Sequence, residues 1–555
     1  MTSKRVFSPR DWLLLVLMSL ALFLPGFINL PPTDRDESRY LVTSERMADT
    51  GDLVDLRYQQ KPRYLQPAGI YWLQSASATL FDSPAHDSVW PYRIPSLLSA
   101  LAAVLMTGLM GGRIFGRNAG FAAAAILAAC FSLNFEARIA KIDATLLAAV
   151  CTAQFALMRA YLRPDAGRTN AIIFWAALGA GLMLKGPVIL VFTGATIAGL
   201  VILDRKAAWL KQLYPVLGPL ITLAICLPWY IAIGVITDGA FYTRSLMVNF
   251  LGKVGAGEQG HSGPIGYHLA VFILAFWPGS LLALRALGFA WRDRMEPAIK
   301  FLLCWIVPGW IVFEFVATKL PHYVLPTYPA IALIAAAALF SEKQAAPKRL
   351  WTIAFAIVAI LWLIASALLA SAGPIVVWWA DHRVDGLGIV LASAAFIAAA
   401  SVLWFLWRKQ HLSAIIAMTV SAALVWANFF GYSLPGSHNF WISPRIDAAA
   451  RAARPCPDNQ RESVFATIPY DEPSLVFAYG REETRLVETP EEAAETLAQH
   501  KQCGLALIGA AERDAFMKRA AELGVQPRAV DQIAGHNYSN GDELDLTLYT
   551  AARER

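Results

Sequence analysis

The sequence contains little charge: only 16% of its 555 residues are Asp, Glu, Lys or Arg. A soluble protein has about 25% charged and about 45–50% apolar residues, whereas 57% of this chain is hydrophobic. This composition excludes a soluble globular enzyme and a disordered chain. It predicts a polytopic α-helical membrane protein.

Cysteine is also scarce, because the chain has only 6, far fewer than a disulfide scaffold needs. Two of them, Cys456 and Cys503, lie in the polar C-terminal region and could pair in an oxidising compartment, which the sequence alone does not decide. The other four lie in apolar runs, where a thiol usually acts as a small apolar side chain: Cys130, Cys151, Cys226 and Cys304. The net charge of +6 is too small to predict nucleic-acid binding.

Apolar runs predict about thirteen transmembrane helices, because a helix needs about 20 apolar residues to cross the hydrocarbon layer. The runs at 170–184 and 187–203 are short, and they could instead form a re-entrant hairpin around Lys185-Gly186-Pro187. The predicted spans are 11–30, 92–112, 118–135, 142–162, 170–184, 187–203, 213–236, 265–288, 298–317, 322–341, 351–372, 387–407 and 412–432.

Lys and Arg are concentrated in every second loop, which places those loops and the N-terminus in the cytoplasm. The other loops are longer and chemically mixed, so function is expected on the extracytoplasmic face. These predicted outer segments are 31–91, 136–141, 237–264, 318–321, 373–386 and the tail after 433.

The composition becomes polar after about residue 435, which divides the chain into a transmembrane domain (1–435) and a soluble extracytoplasmic α/β domain (436–555). The second domain has neither a glycine-rich phosphate loop nor metal-ligand spacing, so it is predicted to be structural or to dock an acceptor. Its predicted strands are Ser463–Ile468, Gly504–Gly509 and Glu543–Thr550, and its predicted helices are Thr489–Lys501 and Ala511–Gly524.

The first outer loop begins with three carboxylates and two guanidiniums in six residues, Asp34 to Arg39. A solvated interfacial cluster is the alternative explanation. The stretch 40–50 that follows is amphipathic and predicts a helix on the membrane surface. A basic and aromatic segment at 61–72 suits the lipid–water boundary.

Further ionisable residues are predicted on the same face. Asp143 stands at the outer start of the fourth span, where it could either cap its helix or take part in chemistry. Arg39, Arg63, Lys185 and Lys319 could converge on one anion, although each alone could be a surface anchor.

Glu258 and His261, in the outer segment 237–264, could bind a metal or a sugar. They are only weak candidates for a metal site, because two ligands are fewer than a zinc site uses.

Together these residues resemble the GT-C glycosyltransferases, in the branch that contains the protein O-mannosyltransferases and the lipid A aminoarabinose transferase. The resemblance covers residues 10–340 in motifs and the whole length in layout. It rests on Asp36-Glu37-Ser38-Arg39-Tyr40, Pro67-Ala68-Gly69-Ile70-Tyr71-Trp72, Arg138 to Asp143, Lys185-Gly186-Pro187 and Lys319-Leu320-Pro321-His322-Tyr323.

The resemblance implies transfer of a sugar from a polyprenyl-phosphate carrier at the outer leaflet of a bacterial inner membrane. It implies that Asp36 is the main catalytic carboxylate and that Arg39 and Lys185 contact the carrier phosphate. It also matches Tyr323 and His261 to substrate-binding positions, with His261 near a metal. The chain differs at Leu65-Gln66-Pro67, where the aminoarabinose branch has Glu-Lys-Pro, so neither aminoarabinose nor a metal held by that Glu is predicted.

We therefore expect a glycosyltransferase with catalytic candidates Asp36, Asp143 and Glu37. The acceptor is an envelope component: lipid A, the core of lipopolysaccharide, another glycan or a protein. No particular cofactor is predicted, and a divalent metal is left open. The alternatives are a transporter or flippase for lipid-linked sugars and a non-catalytic scaffold. A transporter would place its ionisable groups near the bilayer midplane, whereas here they lie at helix ends.

Overall fold

The computed structural model describes residues 6–81, 88–163, 165–245, 252, 263–341, 349–453, 464–500 and 503–551. Within these residues, 8 helices are long and apolar enough to cross a membrane, and a bent pair would make 9. A multi-pass membrane protein is therefore confirmed, while thirteen spans remain a prediction. The 8 spans are Trp90–Phe115, Asp143–Leu162, Gly218–Ile236, Pro297–Phe315, Pro321–Phe340, Trp351–Asp381, Gly386–Trp407 and His411–Ser433.

Shorter helices complete the membrane part. The two predicted short runs form separate helices, Arg168–Lys185 and Val188–Asp204, which are joined at Gly186. Gly186 has φ +58, a conformation that side chains disfavour, and this permits the sharp reversal. Other shorter helices are Pro9–Phe23, Gly69–Phe81, Ala208–Leu213 and Ala240–Tyr242.

Two predicted spans are wrong as continuous helices. The run 118–135 bends by 65° between Arg117–Ala129 and Phe131–Ala137. The run 265–288 splits into three short helices: Tyr267–Ala275, Ser280–Arg285 and Leu287–Arg292. The two breaks contact each other, because the Phe131 N–H donates to the Trp277 carbonyl at 2.8 Å. A hydropathy pattern does not reveal such breaks, because the backbone groups that lose a helical hydrogen bond at one break form a hydrogen bond with the other break.

The first outer loop contains the helix Asp36–Thr50, which we call the loop helix. It packs between the helices Gly69–Phe81 and Pro473–Tyr479, and its place on the membrane surface stays a prediction. Its polar side chains are used for packing: the Ser44 hydroxyl donates to Gln74 Oε1 at 2.7 Å. A short hairpin, Arg57–Tyr58 and Lys61–Pro62, lies in the chain between the loop helix and the helix Gly69–Phe81.

The C-terminal region forms a five-stranded mixed sheet, and the three predicted strands are present within a residue or so of their expected ends. Its central strand, Gly504–Gly509, pairs in parallel with Val464–Ile468 and antiparallel with Glu543–Ala551. The strands Thr484–Leu486 and Pro527–His536 complete the sheet. The helices of this region are Ile442–Ala452, Pro473–Tyr479, Pro490–Gln499 and Arg513–Glu522.

Cys503, next to the sheet, is disulfide-bonded, and Cys456 lies outside the described residues. The division of the chain at residue 435 remains a prediction.

The C-terminal sheet docks on the first outer loop. The Gln59 amide donates to the carbonyls of Arg481 and Thr484 at 2.9 and 2.8 Å. The Arg481 guanidinium in turn reaches Asp49 of the loop helix at 2.5 Å. These contacts bring the first loop and the C-terminal sheet to the same end of the bundle. The side of the membrane on which this end lies stays a prediction.

One buried carboxylate at this junction predicts a pH-dependent stability. Burial, with a contribution from Glu472, raises the pKa of Asp34 to about 7. The folded protein therefore binds a proton that the unfolded chain releases near pH 4, and the free energy of unfolding falls as the pH rises from about 4 to about 7. We expect Asp34→Asn to raise the melting temperature at pH 8 and to change it little near pH 4.

Thermal unfolding in detergent across this pH range measures the effect. Asp531→Asn, at an exposed carboxylate of the sheet, is the control and should follow the wild type. A wild-type melting temperature that does not fall between pH 4 and pH 7 would contradict the assignment.

Candidate active site

Glu37 fixes the loop helix to the membrane domain. Its carboxylate is fully buried and accepts hydrogen bonds from both Nε and Nη2 of Arg93, at 2.8 and 3.1 Å. It also accepts from the backbone N–H groups of Thr33 and Ala140, at 2.8 Å each. Burial raises the pKa of Glu37, but Arg93 and the two backbone N–H groups together lower it by more, so the group stays ionised. Since its oxygens are engaged in the core, we replace the predicted catalytic role of Glu37 with a structural one.

The neighbouring Asp36 is not part of the buried Glu37–Arg93 contact, and 57% of its side chain is exposed. Its carboxylate belongs to a group of three that surrounds the ammonium of Lys141. Lys141 Nζ lies 3.9 Å from Asp36, 3.4 Å from Glu136 and 3.6 Å from Asp143. We call these four residues, with Lys185 and His322, the charged cluster.

Asp143 joins the cluster to two further helix ends. It accepts a hydrogen bond from Lys185 Nζ at 2.6 Å, where the helix Arg168–Lys185 ends. His322 Nε2 lies 3.7 Å from the second Asp143 oxygen. The helix that starts at Asp143 has no side-chain cap, so the carboxylate acts on lysines and not as a cap.

A cavity of about 150 Å³ opens beside the charged cluster, and we call it the apolar cavity. Most of its lining is aliphatic or aromatic, which suits a hydrocarbon chain. Its ionisable lining groups are Asp143, Lys185, Tyr230, His322 and Tyr323. Lys185 Nζ lies 5.5 Å from the centre of the Tyr323 ring. The cavity therefore combines an apolar wall with a fixed ammonium.

A second cavity, of about 240 Å³, has a different character, and we call it the cationic cavity. Its basic lining residues are Arg39, Lys61, Arg63 and Arg244. Leu65 lines both cavities. The cations expected to converge on one anion are therefore divided in this structure: Lys185 lines one cavity, while Arg39 and Arg63 line the other.

Lys319 reaches neither of these two cavities. Its ammonium donates to the backbone carbonyls of Glu314 and Val316, both at 2.7 Å, and the side chain is buried. These bonds hold the turn that leads to Pro321-His322-Tyr323. We therefore replace its predicted contact with substrate by a positioning role.

The residues first considered for a metal, Glu258 and His261, lie outside the described residues. Within the described ranges, Glu136, Asp143 and His322 place one donor atom each within 4.8 Å of one another. The ammoniums of Lys141 and Lys185 already lie within 3.6 Å of Asp143. They would repel a divalent ion, so these residues do not fit a metal, and we derive no step through one.

This arrangement predicts that the sugar transfer implied by the sequence resemblance does not depend on a divalent ion held by Glu136, Asp143 and His322. Treatment of the purified protein with EDTA should leave the transfer rate unchanged, because lysines provide the positive charge at the cluster. An enzyme whose metal supplied several kcal/mol to the reaction would lose more than about tenfold in rate. A loss of that size, restored by added metal, would contradict the prediction.

Sequence reasoning did not assign roles to Glu136, Lys141 and His322. A signal was available for each of them. Glu136 and Lys141 stand in the short outer segment 136–141, just before Asp143, and His322 is adjacent to Tyr323 in the sequence. Charged residues at the ends of apolar spans are functional candidates by default.

Comparison with known proteins adds to this geometry. The family model for dolichyl-phosphate-mannose-protein mannosyltransferases matches residues 65–231. An undecaprenyl phosphate-alpha-4-amino-4-deoxy-L-arabinose arabinosyl transferase from Aeromonas salmonicida is 27% identical over 74% of this chain and 76% of its own length. The enzyme of the same name from Yersinia enterocolitica is 28% identical over 57% of this chain and 58% of its own.

Among solved structures, ArnT from Cupriavidus metallidurans bound to undecaprenyl phosphate superposes with a TM-score of 0.72. The match covers 98% of both chains at 19% sequence identity. The protein has the GT-C fold. The oligosaccharyltransferase of Archaeoglobus fulgidus shares this GT-C fold more distantly, with a TM-score of 0.55 at 11% identity over 100% of this chain and 75% of its own. The resemblance to GT-C glycosyltransferases drawn from the motifs is confirmed.

Proposed function

We propose that this protein is an integral-membrane glycosyltransferase that moves a sugar from a polyprenyl-phosphate carrier to an acceptor of the cell envelope. The observation that carries the proposal is the Lys185–Asp143 ion pair, which fixes an ammonium on the wall of the apolar cavity. A polyprenyl phosphate has the matching chemistry, because it joins a long hydrocarbon chain to an anion. The names of the Aeromonas and Yersinia relatives support an undecaprenyl-phosphate donor.

In the proposed reaction, the bond between the anomeric carbon and the phosphate oxygen breaks, and the phosphate leaves with the bonding electrons. Lys185 stabilises the negative charge of the departing phosphate. Asp143 holds Lys185 in place through their 2.6 Å contact. Such a preoriented charge stabilises the transition state because it needs no reorganisation during the reaction.

Asp36 is proposed to orient the acceptor hydroxyl and to take its proton as the new glycosidic bond forms. Burial raises the pKa of Asp36, but the nearby positive charges, Lys141 foremost, lower it by more. The carboxylate is therefore ionised at neutral pH and ready to accept a hydrogen bond. A single displacement of this kind inverts the anomeric centre. If the acceptor atom is a phosphate oxygen, no proton is transferred and Asp36 acts by orientation.

The names of the relatives also bear on which sugar is transferred. Their names describe an arabinosyl transfer, which favours a pentose as the transferred sugar. Lipid A, the core of lipopolysaccharide, another glycan and a protein remain the acceptor classes. We propose that the charged cluster lies on the extracytoplasmic side of a bacterial inner membrane, as the distribution of Lys and Arg indicates.

Donor binding provides the direct test. We expect Lys185→Met to weaken the binding of undecaprenyl phosphate by about tenfold or more, because a charge-assisted contact contributes about 1.5–3 kcal/mol. The measurement is a titration of the purified protein in nanodiscs. Lys206→Met, on a predicted cytoplasmic loop, is the matched control. If Lys185→Met binds undecaprenyl phosphate as tightly as the wild type, the carrier phosphate does not bind at the apolar cavity.

A further inference from the structure

The backbone turn that precedes Asp36 is strained. The loop helix begins at Asp36, and the residue before it, Arg35, has φ +62° and ψ −96°, a conformation that side chains disfavour. Other side chains hold the Asp36 carboxylate only loosely, because 57% of the side chain is exposed and Lys141 Nζ lies 3.9 Å away, beyond hydrogen-bonding distance. The turn at Arg35 therefore has a large part in deciding where this carboxylate points. A strained turn keeps its shape only where the surrounding contacts hold it.

Contacts from two parts of the chain hold this turn. From the loop helix, the Glu37 carboxylate accepts hydrogen bonds from the backbone N–H and the hydroxyl of Thr33, at 2.8 and 2.9 Å. From the C-terminal region, the Tyr538 hydroxyl accepts a hydrogen bond from the backbone N–H of Asp34 at 2.7 Å. Tyr538 is 504 residues from Asp34 in the chain, so only the tertiary structure brings the two together. These bonds fasten the two residues that lead into Arg35.

Tyr538 itself stands on a firm support. Its ring stacks on the ring of Phe440, with the ring centres 4.6 Å apart and the planes inclined by 10°. The preceding residue, Asn537, is buried, and its side-chain amide donates to Glu472 at 2.9 Å. A phenylalanine would make the same ring contacts, so the contact with Asp34 is what the hydroxyl adds.

We propose that Tyr538 is a positioning residue for Asp36, so that the C-terminal region completes the active site. This inference rests on the proposed function, in which Asp36 orients the acceptor and takes its proton. The Tyr538 hydroxyl does not touch substrate. It holds Asp34 in place, and the turn at Arg35 then directs the Asp36 carboxylate towards the charged cluster. Without this bond the turn relaxes and the carboxylate is displaced from the acceptor, which slows the reaction but leaves donor binding intact.

Tyr538→Phe tests the contact, because it removes only the hydroxyl. We expect kcat for sugar transfer to fall by about 10- to 100-fold, the effect of a small misplacement of a catalytic group. The assay uses labelled lipid-linked sugar and the full-length protein in nanodiscs. The KM for the donor and the binding of undecaprenyl phosphate should stay at the wild-type level, which also shows that the variant is folded. Tyr549→Phe, on the same sheet but packed against Phe516, is the matched control and should transfer sugar at the wild-type rate.

A double variant separates positioning from a general structural effect. In Asp36→Asn there is no carboxylate left to position. Adding Tyr538→Phe to Asp36→Asn should therefore lower the remaining transfer by less than about twofold, within the usual error of additivity. A structural effect that is independent of Asp36 would instead lower transfer by the same factor in both backgrounds.

Three results would overturn the positioning role and leave the proposed function intact. The first is transfer at the wild-type rate by Tyr538→Phe in an assay in which Asp36→Asn has lost it. The second is an equal loss caused by Tyr538→Phe with and without the Asp36 carboxylate. The third is weaker binding of undecaprenyl phosphate by Tyr538→Phe, which would assign the hydroxyl to the fold or to the donor site. Failure of the proposed function looks different, because the wild-type protein would then neither bind undecaprenyl phosphate nor transfer sugar.

Discussion

Asp36→Asn should reduce sugar transfer by about 10²–10⁴-fold, the usual value of a positioned acid–base group. The change removes the one carboxylate of the charged cluster that is largely exposed, with 57% of its side chain accessible. It keeps the size of the side chain and its place on the loop helix. Labelled sugar transferred from a lipid-linked donor, measured with the purified protein, gives the rate.

Donor binding distinguishes an enzyme from a transporter in the same experiment. Asp36→Asn should still bind undecaprenyl phosphate, because Lys185 and its partner Asp143 are unchanged. Asp36→Glu, which keeps the charge, should recover part of the activity. Asp49→Asn, on the same helix but paired with Arg481, should transfer sugar at the wild-type rate. Undiminished transfer by Asp36→Asn would remove Asp36 from the catalytic role.

Glu37→Gln is expected to destabilise the protein by about 3–5 kcal/mol, the usual cost of leaving a buried charge without its partner. The variant leaves the Arg93 guanidinium in the core with neutral acceptors only: the amide oxygen of the new side chain and the carbonyls of Phe27, Leu30 and Pro31. Thermal unfolding in detergent should show a clear drop in melting temperature. Arg93→Met should have a similar effect, because it leaves the Glu37 charge buried.

The double variant makes this prediction specific to the pair. Glu37→Gln with Arg93→Met should cost less than the sum of the two single changes, because neither charge then remains unpaired. Arg519→Gln breaks an exposed ion pair with Glu495 and should change stability by less than about 1 kcal/mol. If Glu37→Gln keeps the wild-type melting temperature but loses transfer, Glu37 is a catalytic residue after all.

Much of the architecture could be predicted because each element carries its own signal. An apolar run of sufficient length is a span whatever surrounds it, and the helices Asp143–Leu162 and Gly386–Trp407 occur where hydropathy places them. The buried strand Gly504–Gly509 was predicted with its observed ends, because a short apolar run between polar turns has few alternatives. The breaks at Cys130 and near Trp277 could not be predicted, because the polar groups at one break form hydrogen bonds with groups at the other, 145 residues away in the chain.

The candidate site likewise has a part that the sequence predicted and a part that it did not. The run from Asp34 to Arg39 marked the right segment, since charges beside an apolar span are costly unless they are used. Only the family resemblance singled out Asp36, because the charge run itself does not show which of the adjacent residues of a helix faces which direction. Glu37 pairs with Arg93 in the core, while its largely exposed neighbour Asp36 contacts the buried Lys141.

The sequence by itself determined that this protein crosses a membrane several times and carries its ionisable groups at the helix ends, because solvation by lipid or water acts on each segment separately. Only the tertiary structure decided which charges became partners. It paired Lys185 with Asp143, tied Lys319 to backbone carbonyls and placed Arg39 and Arg63 at a separate cavity. The reason is physical: ion pairs and cavities depend on distances of a few ångströms between segments that are far apart in the chain.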